Sequence, residues 1–328
     1  RLMRLDDDVV HAELVDEAHH LLLRSGSDRE HGHHRAHAED HAEHGQQAAQ
    51  LVRQEARKPH VQLGKITRKN RHRLLPSALA AAARQRQVQT TVIESAPRLL
   101  GRAVPESLAA RIEARHRKEQ VQFYIGQSIT SISPTRKVTL ADGTDIMSDI
   151  ILAGIGSIPD TDLAEQCGLT IDNGIAVDAN FRTSDPQIYA AGDCCSFPHA
   201  LYGMKRMRLE SWRAAQEQGA HAARAILGAT DPYQSVPWFW SDHYDLTLQI
   251  AGLPSDGVSI VTRMLDDESD IIFHLDVEGR LVGASGLSRG NKIAKDIRLA
   301  EMLIANRSHP DQQALADPKF NLKSLLKS

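Results

Sequence analysis

The chain has 328 residues, enough for two or three domains, and its formal net charge of −3 gives no general pull toward nucleic acid or an anionic membrane. No apolar run approaches the roughly 18 residues that span a bilayer, so partners of both kinds are excluded. The three cysteines, Cys167, Cys194 and Cys195, are too few for a disulfide scaffold and fit a reducing cytoplasm.

The opening, "RLMRLDDDVVHAELVDEAHH", lacks the basic-then-apolar layout of a signal peptide. All aromatic residues lie at Phe123 or later, whereas ten of the seventeen histidines fall in the first sixty residues. In "HGHHRAHAEDHAEHGQQAAQ", His33, His37, His41 and His44 recur at three- and four-residue spacing and would share a helix face. Neutral imidazoles so placed suit zinc, nickel or copper. The alternative is a solvated, low-complexity segment, because charges interleave the histidines and no turn fixes a ligand set. "QLVRQEARKPH" reads as a polar helix continuing to Pro59, and residues 1–75 are left unassigned, with no independent fold.

At residue 76 the text changes. An alanine-rich helix over 77–86 leads into "VQTTVIES", a β-branched strand ending on Glu94. A carboxylate there, in a Rossmann βαβ unit, accepts hydrogen bonds from the adenosine ribose hydroxyls and repels a 2′-phosphate, favouring NAD over NADP. The other reading of Glu94 is a surface strand cap. The Gly-x-Gly-x-x-Gly fingerprint expected before this helix is missing, and Arg71, Arg73 and Pro76 stand at its glycine positions.

A helix over 105–120 follows, then one strand over 121–132. A hairpin turning at Asp142-Gly143 leads to a buried strand that enters Gly154-x-Gly156. Such a glycine pair suits close approach of a flat cofactor, or an ordinary strand-to-loop turn. Further on, "QIYAAGDCCSF" reads as an apolar strand delivering Asp193 at its end. Adjacent cysteines project to opposite sides of an extended chain and would need a strained ring to bond, so Cys194 and Cys195 are read as packing residues. "LTLQIAGL" and "IIFHLDVEGRLVGASGL" alternate as antiparallel strands, and "KIAKDIRLAEMLIANR" reads as the helix after them.

The ordered segments "VQTTVIESAPRLLGRAVPE", "ILAGIGSIPDTDLAEQCGL", "GIAVDANFRTSDPQIYAAGDCCSFP", "RLESWRAAQEQGAHAARAILG" and "PWFWSDHYDLTLQIAGLP" resemble the FAD-dependent ferredoxin reductases of the pyridine-nucleotide-disulfide oxidoreductase superfamily. The nearest look-alikes are reductase components of aromatic-ring dioxygenase and cytochrome P450 systems. The resemblance runs from about Ser77 to the C-terminus. It implies an α/β protein: Rossmann-like three-layer nucleotide-binding domains, incomplete here, followed by an α+β C-terminal reductase domain. The implied divisions are an NAD-binding domain lacking its glycine fingerprint over 76–155, the C-terminal part of an FAD-binding domain over 156–231, and a reductase or dimerisation-like domain over 232–328.

The same resemblance implies FAD and NAD as cofactors, and NADH and an iron–sulfur ferredoxin as partners in a cytoplasmic setting, with a homodimer left open. It places Asp193 at the FAD ribityl chain with Gly192 allowing close approach, and Glu210, Ser211 and Trp212 beside the isoalloxazine. Glu94, Gly154 and Gly156 fall to NAD. Arg98 and Arg102 stand near its adenosine or phosphates, or serve as solvated surface groups. Ala78 replaces an acidic residue expected near the nicotinamide. Trp238 and Trp240 either contact the region of the flavin or pack in the core. Residues 1–75 contain no first FAD fingerprint, which reads as a truncation, rearrangement or frame error. Two further readings follow: a flavin-free, non-catalytic remnant of the family, and a metal-binding protein through the His-rich segment.

Overall fold

In the computed structural model the described residues are 60–64, 75–101 and 104–327, all within the unit formed by residues 57–328. The His-rich segment, the polar helix up to Pro59, and Arg71, Arg73 and Arg102 lie outside them. The first described element is a strand, β1 (His60–Gly64), where the sequence reading placed none. With Val61 and Leu63 as its only large apolar residues, so short a segment carries no legible periodicity. Its register against a neighbour on each side defines it: β1 pairs in parallel with β2 (Gln89–Glu94) and with β7 (Ile150–Ala153).

Helix α1 (Leu75–Gln85) crosses from β1 to β2, and α2 (Glu106–Lys118) crosses from β2 to β3 (Gln122–Ile125). The parallel sheet has the order β3-β2-β1-β7, the arrangement of half a doubly wound nucleotide-binding domain, with its crevice beyond the carboxyl ends of the strands. Arg115, Arg117 and Lys118 close α2, where cations meet the negative end of the helix dipole.

The single strand expected over 121–132 is two. Gly126, at φ +72°, breaks it, and β4 (Ile129–Ile132) departs into a separate antiparallel meander with β5 (Lys137–Leu140) and β6 (Asp145–Met147). The hairpin turn at 142–143 is as read: Gly143 has φ +86°, and the Asp142 carboxylate accepts from the Thr144 N–H at 2.9 Å. Strand β7 is not the buried strand expected. Among the described residues it pairs with β1 alone, and Ile150 is 41% exposed.

A short helix, α3 (Asp162–Gln166), precedes a small sheet of β8 (Ile175–Ala176), β9 (Cys195–His199) and β10 (Lys205–Met207). "QIYAAGD" is not the strand expected. It makes one isolated bridge, Tyr189 to Arg182, with an added bond from the Ala190 N–H to the Phe181 carbonyl, and regular pairing begins only after Asp193, at Cys195. No described strand offers 187–193 a full ladder. Helix α4 (Trp212–Ile226) packs Ala214 and Ala222 on Phe181, Phe197 and Tyr233.

The last third is a five-stranded antiparallel sheet in the order β11-β12-β15-β14-β13, with β11 (Trp238–His243), β12 (Leu246–Gly252), β13 (Ser259–Asp266), β14 (Ser269–Leu275) and β15 (Leu281–Arg289). The helix expected here is α5 (Ala294–Ala305), and α6 (Gln312–Ala316) follows it. One face of the sheet packs on α5 through Phe273, Leu303 and Ile304. From the other face, Leu248, Ile250 and Ile272 share a core with Leu108 and Ile112 of α2. A sheet buried on both faces explains the near-continuous apolar runs in β14 and β15.

Candidate functional site

The eight singled-out residues form two groups. Gly192, Asp193, Glu210, Ser211 and Trp212 gather around the turn before β9 and the start of α4. Glu94, Gly154 and Gly156 lie at the carboxyl edge of the parallel sheet, after β2 and β7.

Gly192 has φ +90°, a conformation that penalises any side chain. Its N–H donates to Gln218 Oε1 at 2.8 Å, and Gln218 in α4 is fully buried. Its carbonyl accepts from the Cys195 N–H at 3.2 Å. On the far side of the turn, Arg208 Nη1 donates to the Asp193 carbonyl at 3.3 Å, and the same guanidinium is ion-paired with Glu210. Both members of that pair are buried. A buried pair is held for its geometry as much as its energy, since removing one partner strands a charge. The turn is thus held through its backbone from both sides, with Asp193 exposed.

Ser211 caps α4, its Oγ accepting from the Ala214 N–H at 3.3 Å, and half-buried Trp212 is the first helical residue. Arg213, the next residue, has its guanidinium 5.3 Å from the centre of the Trp238 ring and pairs with Glu217 and Glu301. Trp238 stacks on Trp240 at 5.2 Å and 27°. The two indoles therefore sit beside the start of α4, and they are half-buried rather than sealed in the core.

The cysteines are free. Burial raises both thiols, Cys195 to about 12, with Cys194 and Asp193 adding to the effect on Cys195. Cys195 donates its S–H to the Gly192 carbonyl and to Gln218 Oε1, at 3.3 and 3.5 Å. It is a buried donor on the turn, and a thiol so far from ionisation is a poor nucleophile.

Glu94 is buried, and its Oε1 accepts from the Ala96 N–H at 2.8 Å. It therefore caps the loop after β2, while its position at the strand end is the one expected of a ribose-binding carboxylate. Gly156 has φ +92°, and Gly154 is glycine because a Cβ there would overlap the ring of Pro76 in α1. Arg98 donates to the carbonyls of Leu99, Gly101 and Val104, so it braces its own loop.

Gln218 and Arg208 were not singled out from the sequence. The contact of Gln218 with Gly192 spans 26 residues, and no local pattern encodes it. No group of metal-ligating side chains occurs among the described residues, and none of their helices is long and apolar enough to cross a membrane.

Residues 77–219 match the pyridine nucleotide-disulphide oxidoreductase family, and residues 238–326 match the reductase C-terminal domain family. The ferredoxin–NAD(+) reductase component of the anthranilate 1,2-dioxygenase system of Burkholderia cepacia is 40% identical over 252 residues, covering 76% of this chain and 61% of that protein. Putidaredoxin reductase of Pseudomonas putida is 31% identical, covering 76% of this chain and 59% of its own. Among solved structures, the ferredoxin reductase for the CYP199A2 system of Rhodopseudomonas palustris superposes with a TM-score of 0.74 at 30% identity, over 87% of this chain and 67% of that one. The covalent putidaredoxin reductase–putidaredoxin complex gives 0.75 at 27% identity, over 84% and 65%. The chain spans about three fifths of the length of these two sequence relatives.

Proposed function

The chain belongs to the pyridine nucleotide-disulphide oxidoreductase family and carries its reductase C-terminal domain, and from that premise we propose that it serves as a flavoprotein reductase passing electrons from NADH through FAD to an iron–sulfur ferredoxin. The observation that supports this most is the Gly192-Asp193 turn: an exposed carboxylate on a backbone fixed from two sides, beside a helix that opens with Ser211-Trp212. The donor set fits the group. Asp193 would accept hydrogen bonds from ribityl hydroxyls, Gly192 at φ +90° would form the turn that presents it, and the half-buried Trp212 indole would offer a flat apolar wall for the ring. Glu210, paired with Arg208, and Ser211, engaged in its cap, would hold the backbone at the ring edge. Bound FAD supplies hydride acceptance and one-electron release; the protein contributes orientation and electrostatics.

The coenzyme side fits only in part. Glu94 and Gly156 suit an adenosine ribose and a close backbone approach, and Glu94 favours NAD over NADP. Against this, the Pro76 ring fills the space at Gly154, and proline offers no N–H to a pyrophosphate. Pro76 also favours the second reading in its non-catalytic aspect, a remnant of the family that does not take up hydride from NADH. The low cysteine count and the nature of the reaction support a cytoplasmic setting.

The test is NADH-dependent reduction of a purified iron–sulfur ferredoxin, with FAD supplied. Reduction should require both FAD and the chain, and Asp193→Ala should lower the rate at limiting FAD by about tenfold, the weight of one charge-assisted hydrogen bond. Reduction at the same rate without FAD would defeat the proposal.

A further inference from the structure

We propose that Gln218 is a positioning residue for Asp193: its buried side-chain amide fixes the Gly192 turn and so aims the carboxylate at the flavin. The inference rests on the flavin reading above.

Gln218 is fully buried, on the face of α4 that otherwise buries Ala214, Ala222 and Ala225. An amide in such surroundings is costly unless it is hydrogen-bonded. Its Oε1 takes the Gly192 N–H at 2.8 Å and the Cys195 thiol at 3.5 Å, while its Nε2 has no partner among the described residues. Both bonds the side chain makes, through its oxygen, go to the turn. Gly192 at φ +90° has its N–H direction set by a conformation that few residues adopt. Arg208 holds the following carbonyl. With the backbone of the turn engaged on both sides, the exposed residue Asp193 sits on a fixed base.

The position of Gln218 in the chain adds to this. It lies on the same helix as Ser211 and Trp212, so one rigid element sets both the indole and, through Gly192, the carboxylate. Changing Gln218 disturbs the relation between the two without touching either. Preorganisation of this kind shows in affinity, because a free turn must be ordered when the ligand binds.

The experiment uses apoprotein titrated with FAD, followed by quenching of flavin fluorescence, together with amide hydrogen exchange over residues 190–226 and thermal melting. Gln218→Met keeps the size of the side chain and removes the acceptor; Gln218→Glu keeps an acceptor oxygen. The expected result is a Kd for FAD raised roughly five- to tenfold in Gln218→Met, the loss of about one hydrogen bond's worth of order. Exchange should quicken at Gly192–Cys195 and stay unchanged through the rest of α4, and Gln218→Glu should recover most of the affinity. Unchanged Kd in Gln218→Met, or a loss that tracks faster exchange along the whole helix and a lower melting temperature, would overturn the assignment. Wild-type protein that takes up no FAD would overturn the flavin reading and this assignment with it. Wild-type binding with an indifferent Gln218→Met overturns this assignment alone.

Discussion

Pro76 governs how much of a dinucleotide this chain can seat. It is the second residue of α1, where a helix of the fold would present backbone N–H groups to a pyrophosphate, and its ring lies in the space beside Gly154. Pro76→Gly removes the ring and restores one N–H. It should tighten NADH binding by about three- to tenfold, measured by coenzyme fluorescence, at a cost of roughly 1 kcal/mol in stability from the freer unfolded chain. Unchanged affinity would mean that the obstacle lies elsewhere. Asp193 and Trp212 were legible because they sit in ordered motifs, and Glu94 because it ends a β-branched strand. Both readings of Glu94, ribose carboxylate and strand cap, were open in the sequence; what it did not show is that the cap is buried, with the carboxylate taking the Ala96 N–H. Gln218 was hidden because its partner is made adjacent only by packing.

At the scale of elements, the helices and the alternating C-terminal strands follow from their periodicity, and the misreadings have common causes. A single glycine with positive φ, Gly126, splits one apolar run between two sheets. Strand β1 is too short to show a period, and "QIYAAG" has strand composition without a partner ladder. β-propensity describes residues that fit a pleated surface and leaves open whether that surface exists. The tail after α5 depends on one residue. Arg263 in β13 is 3% exposed, pairs with Asp296, and donates to the carbonyls of Leu315 and Phe320 at 3.3 and 2.8 Å, among others. Arg263→Leu strands Asp296 and releases those carbonyls, so it should cost about 3–5 kcal/mol in denaturant unfolding. A loss below roughly 1 kcal/mol, the weight of a surface pair, would show that the tail is held by its apolar contacts alone.

At the scale of the molecule, α2 and the C-terminal sheet share a core that contains a buried chain of rings. Tyr244 Oη lies 3.2 Å from His116 Nδ1, and His116 Nε2 lies 3.3 Å from His243 Nδ1. Burial is the main cause that lowers His116 to about 4 and His243 to about 3, with Arg115 adding to the first and His116 to the second. His199 and His274, also buried, are each lowered to about 4. All four are neutral in the fold at pH 7. As pH falls below 6.5 the unfolded chain gains protons that the fold refuses, so each histidine removes up to about 1.4 kcal/mol per pH unit until its folded value is reached. Thermal melting should therefore fall steadily from pH 7 to 4, and His116→Gln should flatten the slope by one histidine's share. A melting temperature constant over that range would contradict the buried neutral assignment.

Central to the account is that this chain, which matches about three fifths of the length of its two sequence relatives, holds a flavin on Asp193 and Trp212. The visible absorption spectrum of the purified protein tests it most directly, recorded after FAD is added and the excess removed. The account predicts a retained flavin band in wild-type protein that is lost in Asp193→Ala. No retained band in wild-type protein would contradict it and leave the scaffold without its cofactor.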